Sequence, residues 1–273
     1  MTTCLIGLGS NLGDRAATLD AAVAELQSAA GIEAVRASAW QMTLPVGGDA
    51  TQPAFLNGAA RIETLLAASE LLKVLQEIER RQGRERHERW GSRSLDLDLL
   101  LFGDAVIDTT SLTVPHPRLS FRRFVLEPSV EVAGEMLHPT IGRTVSQLLD
   151  QLEGGADSVA IVSPDTAVRG ELAGKLIAQF GLSPCAATDD NSDRWPPDRT
   201  TWLAIPDSSQ SAGSPKLTVL VREATLDANP LAMGRGPTLR VPAADGQGVD
   251  ADVFAAIEAV WPHLGPLAGV RLQ

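Results

Sequence analysis

Two consecutive stretches with a period of two decide what this chain can fold into. Residues 32–42, "IEAVRASAWQM", and 55–66, "FLNGAARIETLL", each alternate apolar and polar side chains, the pattern of a half-exposed strand. Between them lies "TLPVGGDATQP" (43–53), an eleven-residue stretch with two prolines and two glycines that reads as a loop. Connections of that length are often functional. Two strands joined without a crossover helix interrupt any simple βαβ series and call for antiparallel pairing.

The flanking segments complete the pattern. Residues 3–8 form an apolar run that reads as a buried strand. Asp14 opens a helix with Leu19, Val23 and Leu26 on one face, and Gly31 stops it. After the second alternating strand, Ser69 is expected to cap a helix whose stripe is Leu71, Leu72, Leu75 and Ile78. "SLDLDLLLF" (94–102) is a further strand, and residues 113–137 read as a loop plus a short helix. Strand, helix, two strands, helix, strand is the order of a ferredoxin-like α/β (α+β) layer with a mainly antiparallel sheet.

This order bears on "GLGSNLGDR" (7–15), which at first sight is a dinucleotide loop. The fingerprint G-x-G-x-x-G needs glycine at position 12, where Leu12 stands, and a βαβ continuation that the two alternating strands deny. A dinucleotide-dependent oxidoreductase is therefore disfavoured. A tight strand-to-helix turn, with Asp14 at the helix N-terminus, is the better account.

Gly154-Gly155 reads as a joint between a domain over 1–153 and a smaller α/β domain over 156–273. In the second, 158–181 is strand, loop and helix, 183–200 is polar and Pro-rich loop, 201–205 and 216–222 are strands, and a last helix lies near 250–261. The 273 residues suffice for two modest cores. A net charge of −11 and a pI near 4.8 disfavour nucleic acid and anionic membrane as partners. Cys4 and Cys185 lack metal-ligand spacing and fit a reducing compartment. The first residues lack the basic region of a signal peptide, and no apolar run approaches the ~20 residues of a membrane span. A soluble, cytoplasmic protein is expected.

Asp96 and Asp98 are the sharpest local feature. Two residues apart on a strand, they share a face and lie ~6.6 Å apart at Cα. Like charges so placed repel unless a cation or donors compensate, and hard oxygen ligands on a strand suit Mg²⁺ carrying phosphates. A solvated edge-strand face competes as the account of the pair alone. The preceding segment, "RRQGRERHERWGSR" (80–93), holds six arginines, which clamp phosphate bidentately. Glu79, Glu85 and Glu88 are interleaved there, so a salt-bridged helix end is the competing account. Phe55 and Phe124 could sandwich a flat heterocycle, with the Asn57 amide at its edge. In isolation, two core phenylalanines and a strand Asn are the better account of those residues.

Taken together, "GLGSNLGDR", "TLPVGGDATQPAFLN", "GRERHERWGSRSLDLDLLLFG" and "LTVPHPRLSFRRFVLEP" resemble, in that order, the 6-hydroxymethyl-7,8-dihydropterin pyrophosphokinases of folate biosynthesis, over roughly residues 3–150. The resemblance implies a ferredoxin-like fold and transfer of diphosphate from ATP to a dihydropterin hydroxymethyl group, leaving AMP. It implies that Asp96 and Asp98 bind two Mg²⁺ ions, and that Arg84 and Arg93 are catalytic arginines. Arg86, Arg89 and Trp90 would belong to a closing loop, and with Glu79, Leu99, Thr113, His116 and Arg122 would serve the nucleotide. Thr43, Pro45, Val46, Phe55, Asn57 and Phe124 would hold the pterin. Small molecules are then the partners, and oligomeric state is left open.

Three positions depart from the family pattern: Ser111 lacks an expected basic residue, and Glu127 and Ser129 stand where apolar residues are usual. A nucleotide- or pterin-binding regulator without turnover is the non-enzymatic alternative. The second domain resembles a nucleoside kinase whose P-loop is degenerate, with Ser163, Val168, Arg169 and Gly170 in the places of its signature residues. An unrelated packing appendage is the other reading of it.

Overall fold

The computed structural model describes residues 1–46, 52–83, 94–187, 197–206, 208, 213–222, 236–242 and 249–264. The chain forms two compact units, one of residues 1–119, 123–140 and 144–146, the other of 120–122, 141–143 and 147–273.

The first unit holds strand β1 (Thr2–Ser10), helix α1 (Arg15–Ser28), strands β2 (Ile32–Ala37), β3 (Gln41–Thr43) and β4 (Phe55–Thr64), helix α2 (Ala68–Arg81) and strand β5 (Asp96–Phe102). The strands pair in the order β2-β4-β1-β5, with β3 also on β4, and every pairing is antiparallel. This is the ferredoxin-like order expected from the alternating stretches. Cys4, Ile6, Leu8, Ile62, Leu97 and Leu99 of the sheet form one core with Leu19 and Leu26 of α1 and Leu71, Leu75 and Ile78 of α2. The β-strand period leaves every second residue on the opposite face.

One expected strand is broken. Residues 32–42 divide at Ser38–Trp40, where Ser38 Oγ accepts the Ala59 N–H at 2.9 Å and the Trp40 indole donates to Asp20 Oδ1 at 2.9 Å. The indole lies against Gly58, where a Cβ would come within 2.3 Å of the ring. One cap is also corrected. Ser69 lies inside α2, and the cap position is Ala67, whose N–H is accepted by Glu70 Oε2 at 2.8 Å. Glu70, at the third helical position, thus supplies the reach-back half of a capping box, while the cap residue itself has no side-chain acceptor. The Asp14 cap is present, accepting the Ala17 N–H at 3.1 Å after Gly13 at φ +64°.

Two short hairpins follow, β6 (Ile107–Asp108) with β7 (Thr113–Val114) and β8 (Leu137–His138) with β9 (Arg143–Thr144). Helix α3 (Arg123–Ala133) lies between them and packs on β4, β1 and β3. The polar departures on it are satisfied locally: buried Ser129 donates to the Val125 carbonyl at 2.6 Å, and Glu127 lies 3.6 Å from Arg123.

The second unit contains most of helix α4 (Val145–Gly154), then β10 (Ala156–Val162), α5 (Thr166–Phe180), β11 (Ser183–Pro184), β12 (Thr200–Ala204), β13 (Pro215–Arg222), β14 (Thr238–Pro242) and α6 (Val249–Val260). Its sheet runs β11-β12-β10-β13-β14, with β10, β13 and β14 parallel and β12 antiparallel to β10. Phe180 of α5 meets Phe254 of α6 edge to face at 5.4 Å. β14 carried no sequence expectation, with only four residues between Pro237 and Pro242.

The turn between β10 and α5 has three residues, 163–165. Asp165 caps the helix by accepting the N–H groups of Ala167 and Val168, and Val168, Arg169 and Gly170 are helical. A carboxylate therefore occupies the helix N-terminus where a phosphate would have to sit. Arg169 is buried and folds back on the Ser163 carbonyl, the Asp198 carbonyl at 2.7 Å and Thr166 Oγ1 at 3.1 Å. No helix among the described residues is long and apolar enough to cross a membrane.

Candidate active site

Antiparallel register brings distant residues into one row. Gln41 pairs with Asn57, Asn57 with Gly9, and Gly9 with Asp96. One step along, Gly7 pairs with Ala59 on one side and Asp98 on the other. Directly paired residues share a face, so Asn57, Asp96 and Asp98 all project opposite to Leu97 and Leu99. Two glycines of the central strand separate the amide from the carboxylates. Gly7 and Gly9, expected in a turn, thus belong to β1 and form the floor of this face.

Among the described residues β5 pairs with β1 alone, and Glu79 of α2 lies on its other edge, accepting the Leu97 N–H at 2.7 Å. Glu79 was expected near the nucleotide; its carboxylate is 4% exposed and bound to the strand between the two aspartates. The Leu99 side chain lies in the core shared with α1 and α2, so a nucleotide contact there would be made through its backbone.

His116 follows β7 and is fastened by its N–H to the Leu100 carbonyl at 2.9 Å. The Arg118 N–H donates to His116 Nδ1 at 3.2 Å. A backbone N–H can only donate, so Nδ1 accepts and the neutral ring carries its proton on Nε2. That nitrogen lies 3.9 Å from Asp98 Oδ2. Thr113 is half-buried on β7, and Arg122, also half-buried, directly precedes α3.

On the other side of the row, Asn57 Nδ2 donates to Thr43 Oγ1 at 2.7 Å. Thr43 pairs with Phe55, and half-buried Pro45 and Val46 follow it. Phe124, half-buried, is the second residue of α3, the helix that packs on β4. Arg15 Nη1 donates to the Ala54 carbonyl at 2.6 Å and ties the first turn to the end of the 43–53 loop. Arg84, Arg86, Arg89, Trp90 and Arg93 lie outside the described residues.

Among the described residues no group of three or more His, Cys, Asp or Glu is assembled to hold a metal. Two carboxylates on one strand face still fit Mg²⁺, which keeps waters and takes phosphate oxygens alongside one or two carboxylates.

A ferredoxin-like sheet with a carboxylate pair and a buried amide on one face defines a class of α+β enzyme suited to phosphoryl chemistry on a small polar acceptor. A family model described as 7,8-dihydro-6-hydroxymethylpterin-pyrophosphokinase (HPPK) matches residues 5–134. A Synechocystis protein named 2-amino-4-hydroxy-6-hydroxymethyldihydropteridine pyrophosphokinase is 39% identical over 168 residues, 62% of this chain and 84% of the relative. Proteins of the same name from Bacillus subtilis and Methylorubrum extorquens are 46% and 41% identical, over 48% and 56% of this chain and 78% and 95% of theirs. The chain belongs to the HPPK family. A solved HPPK-DHPS complexed with substrates superposes over 55% of this chain and 43% of its own with a TM-score of 0.42 at 11% identity, and the fold assignment rests on strand order instead.

Proposed function

We propose that the chain transfers the terminal diphosphate of ATP to the hydroxymethyl group of 6-hydroxymethyl-7,8-dihydropterin, giving AMP and the pterin diphosphate. The observation that carries this reading is the row Asn57–Gly9–Asp96, which sets a heterocycle reader two strands, or roughly 9.6 Å, from a carboxylate pair. A fused bicyclic ring bearing one hydroxymethyl arm spans such a gap.

In the reaction the alcohol oxygen attacks the β-phosphorus, the bond from that phosphorus to the AMP oxygen breaks, and the alcohol proton is released. Asp96 and Asp98 would hold Mg²⁺, which when bound neutralises phosphate charge and draws the acceptor oxygen toward the phosphorus. Asn57, its amide anchored on Thr43, orients the ring edge, and Phe55 and Phe124 supply flat apolar surface. His116 directs Nε2–H toward Asp98 and serves as a donor to phosphate when the nucleotide is present. Arg84 and Arg93 contribute charge on the transferred group, while Arg86, Arg89 and Trp90 exclude water. No described side chain need act as a separate general base, because positioning and electrostatics carry most of such a transfer. Two free thiols and ATP as co-substrate support a reducing cytoplasm as the setting of the reaction.

The test is product identity. ATP, Mg²⁺, the dihydropterin and the full chain should yield AMP in step with pterin diphosphate, and chelation should stop it. ADP alone, or no nucleotide product, would overturn the reading.

A further inference from the structure

Gly9 occupies the middle of the row between Asn57 and Asp96, and it has a measurable reason to lack a side chain. A Cβ built there would lie 2.8 Å from Asn57 Oδ1 and 4.0 Å from Asn57 Cγ. The Asn57 oxygen therefore leans over the central strand, while the amide nitrogen points the other way and donates to Thr43 Oγ1 at 2.7 Å. Asn57 is 8% exposed, so its amide cannot turn to bulk water for alternative partners. Gly7, the other glycine on this face, meets a different neighbour, with Leu100 Cδ1 3.3 Å from its would-be Cβ.

We propose that Gly9 is a positioning residue for the acceptor heterocycle: the space left by its missing side chain lets the Asn57 amide lie across the central strand in one fixed orientation. This inference rests on the function proposed above. Thr43 fixes one end of the amide and the gap over Gly9 receives the other. The second amide N–H and a remaining oxygen lone pair then face a ring edge that offers an acceptor beside a donor, as a lactam or cyclic amidine does. A flipped or displaced amide would offer the wrong pattern, and a site built on paired polar groups discriminates strongly against mismatches. The clash falls on the far end of a short side chain, so a methyl at position 9 moves Asn57 without moving backbone.

The experiment compares the full-length wild type with Gly9→Ala, Asn57→Ala and the double variant. Gly9→Ala should raise KM for the dihydropterin by about tenfold, the scale of one lost hydrogen bond in a buried site. KM for ATP and the Mg²⁺ requirement should stay within about twofold, since only the Asn57 end of the row has moved. Fluorescence titration with oxidised 6-hydroxymethylpterin should show the same loss without turnover. In the Asn57→Ala background, Gly9→Ala should cost nothing further in pterin binding and nothing in urea unfolding, because the obstructed amide is gone. Wild-type pterin affinity in Gly9→Ala, or an equal penalty in both backgrounds, overturns the proposal. A wild type that makes no AMP overturns the proposed function instead, and the coupling between Gly9→Ala and Asn57→Ala in unfolding then decides the geometric inference by itself.

Discussion

Glu79 Oε1 accepts the N–H of Leu97 at 2.7 Å, so the strand that carries Asp96 and Asp98 is pinned on the edge that has no partner strand among the described residues. An edge strand left open would be free to fray or slip, and a one-residue slip would turn both carboxylates into the core. We expect Glu79→Ala to lose about 2 kcal/mol, because it leaves a buried backbone donor unpaired. The Mg²⁺ concentration for half-maximal rate should rise with it, while Glu79→Gln, which keeps an acceptor oxygen, should recover part of both losses. Urea unfolding and a Mg²⁺ titration read the two effects. A Glu79→Ala variant with normal Mg²⁺ dependence and a raised KM for ATP would return Glu79 to a direct nucleotide contact.

Asp96 and Asp98 are half-buried neighbours of like charge, and their mutual repulsion opposes folding. Asp96→Asn and Asp98→Asn should each reduce AMP formation by at least about 1,000-fold, the order of a lost charge-stabilising group in a transition state. Their unfolding midpoints should match or exceed the wild type. Near-normal turnover in either variant would remove that residue from the proposed metal role.

The main sheet was legible because its information is local: alternation at 32–42 and 55–66, an apolar run at 3–8 and the "DLDLL" stretch each declare a strand and its faces. The spacing of Asp96 and Asp98 likewise required only the pleat. What escaped was cross-strand. No pattern in the sequence sets Gly9 beside Asn57, because that pairing depends on a register set by 47 intervening positions of turns and strands. The bond of Glu79 to Leu97, eighteen residues away, was likewise not written in its local context. The Ser69 cap failed because the helix begins at Ala68, one residue before it, with Ala67 at the cap position and its N–H accepted by Glu70. β14 was lost to its prolines.

The two thiols should differ in reactivity. Cys4 is fully buried under the sheet and burial pushes its pKa up to about 12; Cys185 is half-buried and raised less severely by the same cause. Iodoacetamide at pH 8 on the native protein should label Cys185 slowly and leave Cys4 untouched until the chain is unfolded. Peptide mapping by mass spectrometry distinguishes them, and early labelling of Cys4 would contradict the packing described for β1.

Glu77 on α2 lies 2.7 Å from Arg80 and 2.9 Å from Arg81. Its hydrogen bonds to those arginines lower its pKa from 4.5 to about 2. A carboxyl depressed in the folded state stabilises fully above its unfolded pKa, and that contribution is lost as pH falls toward the folded value. The loss should therefore fall between pH 4.5 and 2. Glu77→Gln should flatten the dependence of stability on pH in this window; its difference from wild type is fully present near pH 7, small because exposed pairs contribute little, and fades as pH falls toward 2. Thermal melts across the acid range test it, and added salt should shrink the difference between the two proteins.

Arg169 replaces what a phosphate loop would need with what a packed turn needs. Its guanidinium donates to the carbonyls of Ser163 and Asp198, joining the end of β10 to the turn before β12, and Asp165 satisfies the first N–H groups of α5. Removing a buried charged donor that serves two carbonyls should cost about 3 kcal/mol. For Arg169→Met, amides of β10 and α5 should then exchange on the order of 100-fold faster, because local opening free energy sets their protection. Amides of β1 and β4 should be unaffected, and so should AMP formation at temperatures where both proteins stay folded. Addition of ATP should not slow exchange at 163–170 in the wild type, since the helix N-terminus already holds a carboxylate. ATP-dependent protection confined to those residues would mean that nucleotide displaces the Asp165 cap and that the turn binds phosphate after all.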